Sequence, residues 1–249
     1  LVKKGFSISV LGINKNHTSE FTIENGISIY RLAKSKWMFA KFYQHKTRLL
    51  KKLKVIHSKK PIDIVEGSEL SFAFFPKKTS YTKLIRLHGG HHFFAIELDK
   101  KPAIWRSYQE KQSFKKADFF VAVSNYVGNQ TQKYLNYNFN FQTIYNTIDI
   151  SNFKKNNIKI KKNSLLFIGT VCEKKGVNEL VKAMPIIKKE IPNISLKIIG
   201  RDWKFKDGAS YINYLKKLIS DDIKNQINFK GVVSNSLIYK DIGEANICV

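Results

Sequence analysis

Short apolar runs that close on glycine or a small polar residue, each followed by a stretch of helical periodicity, restrict this chain's fold more than any other feature. They read PIDIVEG (61–67), TKLIRLHGG (82–90), DFFVAVS (118–124), SLLFIG (164–169), SLKIIG (195–200) and QINFKG (226–231). Periodic segments near 102–116, 124–136, 176–190, 209–220 and 235–243 separate or follow them, with Ser124 placed to cap the second. Earlier, FSISVLG (6–12) and a run near 27–32 read as strands, 37–56 as a helix with a basic outer face, and FQTIYN (141–146) as one more short strand. Strands alternating with amphipathic helices predict an α/β fold: mostly parallel sheets covered by helices on both faces.

The alternation stops once. Between Tyr145 and Asn163 the chain runs IDISNFKKNNIKIKKN, polar, basic and without strong period, which marks a domain boundary. The reading is of two Rossmann-like domains, 1–150 and 164–249, joined by a linker at 151–163. LVKKG at the start looks like the last turn of a helix closed by Gly5, and ANICV at the end like a strand just beginning. Each domain is therefore expected to be incomplete at its outer end, the first lacking its opening strand.

Charge needs discounting before it is used. A formal net charge of +25 suits anionic partners: nucleic acid, an acidic membrane face or phosphorylated metabolites. Lys far outnumbers Arg, however, and Asn, Ile, Phe and Tyr are abundant, a mix that A/T-rich codons produce without selection for charge. Cys172 and Cys248 form neither a metal-ligand spacing nor a disulfide framework, which suits a reducing compartment. No apolar run approaches the roughly 20 residues needed to span a bilayer. The expectation is a cytoplasmic protein, or one peripheral at the inner face of the membrane. Residues 37–60 interleave apolar side chains with Lys and Arg, as an interfacial helix would, and equally as a core-facing helix with a solvated basic side would.

In open α/β sheets ligands sit beyond the carboxyl ends of the strands, and several segments place polar or glycine residues there. In FIGTVCEKKGV (167–177), Gly169 ends a strand while Lys175 and Gly176 open a helix, whose orphan N–H groups favour anions. Together they suit a diphosphate; the alternative is a solvated lysine among many. Neither GxGxxG nor GxxxxGK[ST] spacing is present. In RLHGGHHFF (86–94), His88 can donate to a sugar or phosphate or act as a base, and Gly89-Gly90 allow close backbone approach. The alternative is a histidine satisfied within its loop, and His91 and His92 are weaker candidates. Gly200 and Arg201 follow the next strand, where the guanidinium fork can pair with phosphate or simply belong to a surface loop. Gly231, Val232 and Val233 follow the last complete strand, and their backbone is placed to meet a nucleobase. No histidine has convincing metal-site spacing with carboxylates or cysteines, so no metal is expected.

Taken in order, VAVSNYV, IYNTIDISNF, LLFIGTVCEKKGVNELVKAMPII, SLKIIG and INFKGVVSNSLIYKDIGEANICV resemble the retaining GT-B glycosyltransferases that build lipopolysaccharide, capsule, glycolipid and sucrose-type linkages. The resemblance covers essentially the whole chain and is strongest from residue 117 onwards. It implies two Rossmann-like domains facing across a cleft, with a nucleoside diphosphate sugar held mainly by the second. A saccharide or lipid-linked acceptor would be held mainly by the first, and no cofactor beyond the donor is needed. By resemblance, Lys175 takes the place of the diphosphate-binding lysine. Thr170 stands where a basic residue is usual, which leaves Lys174 or another lysine to supply the second charge. His88 falls at the catalytic, acceptor-side histidine beside the transferred sugar, with Gly89, Gly90 and His91 completing that loop. Asn146 and Thr147 fall at the interdomain strand end. The family's glycine-rich loop would lie upstream of Leu1 and its paired glutamates beyond Val249, so the chain as given is expected not to catalyse transfer. Two other readings remain: an inactive truncated remnant of such an enzyme, and a basic nucleic-acid-binding protein, for which no aromatic-basic platform is found.

Overall fold

The computed structural model describes residues 1–35, 41–147 and 158–249. The chain forms two compact units, Leu1–Thr147 and Ile148–Val249. Residues 37–40 of the expected first helix, and 151–157 of the expected linker, lie outside the described residues.

The first unit holds two sheets where the sequence pattern suggested one. β1 (Ile8–Ile13), β2 (Glu20–Glu24) and β3 (Ile27–Leu32) make a three-stranded sheet in the order β1-β3-β2, with β1 parallel and β2 antiparallel to β3. β2 lies in what read as a polar loop. Its cause is Asn25-Gly26: both take positive φ (53° and 78°) and connect the paired residues Glu24 and Ile27, the two-residue turn whose twist matches that of a hairpin. The opening segment is a single 3-10 turn, Val2–Lys4, which Gly5 closes in the left-handed region.

The second sheet is wholly parallel, in the order β4-β5-β6-β7: Ile64–Gly67, Thr82–Leu87, Phe119–Ala122 and Gln142–Thr143. α1 (Lys41–Lys59) leads into β4, and α2 (His91–Glu97), α3 (Ile104–Phe114) and α4 (Asn125–Leu135) run between the later strands. α4 starts where the sequence placed it, with Ser124 Oγ accepting from Val127 N at 3.2 Å. Leu53, Phe72, Ile85, Leu87, Phe114, Phe120 and Leu135 anchor the core, and Leu50 of α1 packs against it. Leu50 and Leu53 of α1 thus face the core, Lys51, Lys54 and Lys59 face water, and Lys46 turns inward to donate to Ser71 O at 3.1 Å.

The second unit is one parallel sheet in the order β10-β9-β8-β11: Ile227–Gly231, Ser195–Ile199, Ser164–Ile168 and Ile247–Cys248. α5 (Val177–Glu190) and α6 (Tyr211–Leu218) bury Val177, Val181, Met184 and Leu215 against it, and α7 (Asn235–Glu244) precedes β11. Among the described residues no helix is long and apolar enough to cross a membrane.

Asp241 of α7 fixes that helix electrostatically. It is buried, 2.6 Å from Lys197 Nζ and 3.5 Å from Lys230 Nζ. Burial alone would raise its carboxyl, but the two lysines prevail and hold it below the ordinary aspartate value. A carboxyl lower in the folded than in the unfolded chain stabilises fully above its unfolded value of about 4, and that stability is lost as pH falls through the lower folded value. Asp241→Asn should therefore cost about 1–3 kcal/mol near neutral pH. The gap to wild type should shrink as urea unfolding is repeated down to about pH 3; a gap that stays constant would show that the pairing does not carry the effect.

Candidate functional site

All strands of the second unit's sheet are parallel, so the ends of β8, β9 and β10 share one edge. There glycine backbones pack against one another. Gly169 N donates to Ile199 O at 2.9 Å, and Gly200 N to Gly231 O at 2.8 Å. Gly200 has φ 152°, and a Cβ there would lie 1.7 Å from Gly169 O. Gly231 has φ 71° and sits at a register shift in β10. Gly169, Gly200 and Gly231 therefore meet with no side chain between them. The pairing continues outward: Val171 N donates to Arg201 O, and Trp203 N to Val171 O.

The lysine segment differs in detail from its expected form. Glu173–Lys175 make a 3-10 turn, Gly176 (φ 70°) breaks it, and α5 begins at Val177. Lys175 thus precedes the helix by a turn rather than opening it, because Gly176 in the left-handed region cannot be the first residue of a right-handed helix. No side chain caps α5, which leaves its leading N–H groups to backbone, water or an anion. Thr170 is half-buried, while Lys174, Lys175 and Arg201 are exposed. Arg201 is not the partner of neighbouring Asp202, which pairs with Lys204 at 2.8 Å and accepts from Ile212 N. Val232 is exposed and Val233 half-buried before α7.

In the first unit β5 ends at Leu87, and His88 follows with its side chain exposed. The loop is built from below by two carboxylates. Glu69, after β4, accepts from His88 N at 2.7 Å. Glu110, fully buried on α3, accepts from His91 N at 2.8 Å through Oε1, and through Oε2 from His92 N at 2.9 Å and His92 Nδ1 at 2.5 Å. Gly90 is the space they need: a Cβ there would lie 1.7 Å from Glu110 Oε1. Gly89 takes φ 98° and faces the rings of Phe93 and Phe94. Burial pushes the Glu69 carboxyl up and nearby Glu110 adds to the rise, against the pull of the N–H groups of Glu69 and His88. His91 Nε2 accepts from Ala103 N at 2.8 Å, tying the loop to the start of α3. His91 thus struts the loop, and HHFF begins α2.

A cavity of about 270 Å³ lies elsewhere in the second unit, lined by Lys161, Lys197, Asp241 and Glu244 among others. Its charges pair with one another, and none of the candidate residues lines it.

Two Rossmann-like α/β units, each presenting its loops at the carboxyl ends of parallel strands, make the GT-B class of glycosyltransferase fold. Comparison with known proteins gives the family. Residues 1–152 match the family described as Glycosyltransferase Family 4, and residues 149–249 that described as Glycosyl transferases group 1. The chain belongs to glycosyltransferase family 4.

It is 29% identical over 175 residues to an uncharacterized glycosyltransferase of Methanocaldococcus jannaschii, covering 66% of this chain and 43% of that protein. In fold it is similar to sucrose-phosphate synthase from Thermosynechococcus elongatus (TM-score 0.79, 15% identity, 99% of this chain and 66% of that one). It is also similar to the catalytic domain of starch synthase IV from Arabidopsis thaliana (TM-score 0.58, 11% identity, 92% and 62%). The chain therefore spans less than half the length of the curated relative it matches.

Proposed function

We propose that the whole protein transfers a hexose from a nucleoside diphosphate sugar to a hydroxyl acceptor, with retention at the anomeric carbon. The acceptor is a cell-surface polysaccharide or glycolipid precursor. The observation that carries this reading is the bare backbone edge where Gly169, Gly200 and Gly231 meet, beside the uncapped start of α5. A diphosphate needs close backbone approach, N–H donors and cations, and this edge supplies the first two. Lys175 supplies the mobile charge, Thr170 a hydrogen bond, and Lys174 and Arg201 further cations. Gly231, Val232 and Val233 take the base. As the sugar–phosphate bond breaks, negative charge grows on the leaving diphosphate, and groups already aimed at it lower the barrier. His88, with Gly89 and Gly90, takes the acceptor side.

Saturation-transfer NMR against UDP, GDP, ADP and their glucose, galactose and mannose derivatives tests the donor half. One nucleotide should give signal, and Lys175→Ala should weaken its binding about tenfold, or 1.4 kcal/mol. Equal binding by wild type and variant would remove Lys175 from the site. A folded chain that binds none of the nucleotides would favour the remnant reading.

A further inference from the structure

We propose that the first turn of α3 and the loop before it dock this protein onto an anionic lipid surface. Ile104 is 90% exposed, more than any other large apolar side chain among the described residues. Trp105 and Tyr108 beside it are also more than half exposed, and their rings stack 5.8 Å apart. Phe74 approaches Trp105 from the segment after β4 (6.4 Å between rings), and exposed Leu98 ends α2 at the other side of the loop. Among these apolar groups stand Lys100, Lys101 and Arg106, all exposed, and among the described residues none of the three makes an ion pair. The acidic groups nearby are Asp99, exposed in the loop, and Glu97, which accepts from the Tyr126 and Tyr134 hydroxyls.

α3 already buries its other side through Gln109, Glu110, Ser113 and Phe114. An aliphatic tip with Trp and Tyr at its shoulder and lysines around it fits the boundary between headgroups and acyl chains. There the aromatic rings rest at the interface and the cations meet lipid phosphates. The chemistry favours lipid over nucleic acid: the stacked pair turns one face of each ring to the other ring, and Ile104 has no use on a phosphate backbone. α1, the other candidate for an interfacial helix, buries Leu50 and Leu53 in the core and exposes only Tyr43 and Val55 among its described large apolar side chains, with no exposed tryptophan. Its place in the molecule gives the patch a purpose. Ala103, at the start of α3, is pinned to His91, so docking brings the His88–His91 loop to the bilayer surface, where a lipid-linked acceptor presents its hydroxyl. That purpose rests on the proposed transfer reaction, whereas the docking does not.

The test is sedimentation of the full chain with phosphatidylcholine vesicles, with and without phosphatidylglycerol. Binding should require phosphatidylglycerol. It should fall about tenfold in Ile104→Asp and in the double variant Lys100→Glu, Lys101→Glu, with circular dichroism unchanged. A blue shift of tryptophan emission on vesicles should vanish in Trp105→Phe although Trp37 and Trp203 remain. Equal partitioning onto neutral and anionic vesicles would overturn the proposal, as would variants that bind like wild type. So would self-association abolished by Ile104→Asp without any vesicle binding, which would make the patch an interface between copies. Oligonucleotide binding lost in the same variants, again without vesicle binding, would assign the patch to nucleic acid. Nucleotide-sugar binding is read separately, so a chain that binds vesicles and no nucleotide keeps the docking and loses the transfer reading.

Discussion

Gly200→Ala should unfold or grossly loosen the second unit. The added Cβ would lie 1.7 Å from Gly169 O and 2.6 Å from Gly169 C, both backbone atoms that no rotamer change can move. It would also sit at φ 152°, where L-residues are strained. Strain of about 1–3 kcal/mol and forced displacement of a packed neighbour of about 1–3 kcal/mol sum to about 4 kcal/mol, a large part of a domain's stability. Gly208→Ala is the control: φ is 86°, but nothing lies within 4 Å, so only about 1–2 kcal/mol of strain remains. Urea unfolding with amide exchange followed over 195–231 would separate the two. Equal costs would mean that the contact between the two glycines does not constrain the strand ends.

Glu110→Ala should cost about 3–5 kcal/mol and release the histidine loop. The fully buried carboxylate satisfies His91 N, His92 N and His92 Nδ1 together, and its removal leaves buried donors without an acceptor. Glu110→Gln keeps one oxygen and the shape, so it should cost less. The check is exchange of the His91 and His92 amides, which should rise in the alanine variant well before exchange in β5 does. Unchanged protection would show that the loop is held by other contacts.

Much of the fold was legible because parallel strands announce themselves by composition and by the residue that ends them. Gly169, Gly200 and Gly231 were legible as glycines at strand ends, and the structure adds that backbone meets backbone there. What the approach serves is a matter for ligand binding. The histidine loop was legible only from above. His88, Gly89 and Gly90 are adjacent in sequence, but Glu69 and Glu110 stand 18 or 19 residues from the N–H groups they hold. Nothing local distinguishes these glutamates from solvated ones. The nearest hint was Gly90, an invitation to ask what fills the space a side chain would take. β2 was missed although its signal was present: Asn25-Gly26 between the paired segments of a hairpin. The 3-10 turn before α5 was hidden because Lys-Lys-Gly reads as a helix opening until the left-handed glycine is seen.

The split of the first unit's strands into two sheets has a consequence for handling the protein. Among the described residues β1 is an end strand of its sheet, ISVLGI, with no charge and no proline to spoil pairing with another strand. The +25 net charge opposes such pairing between copies, a force with the reach of the Debye length. Added salt shortens that reach to a few ångströms and leaves the strand edge as sticky as before. For a chain with this charge and this edge, the expected remedy for aggregation is therefore low ionic strength rather than added salt.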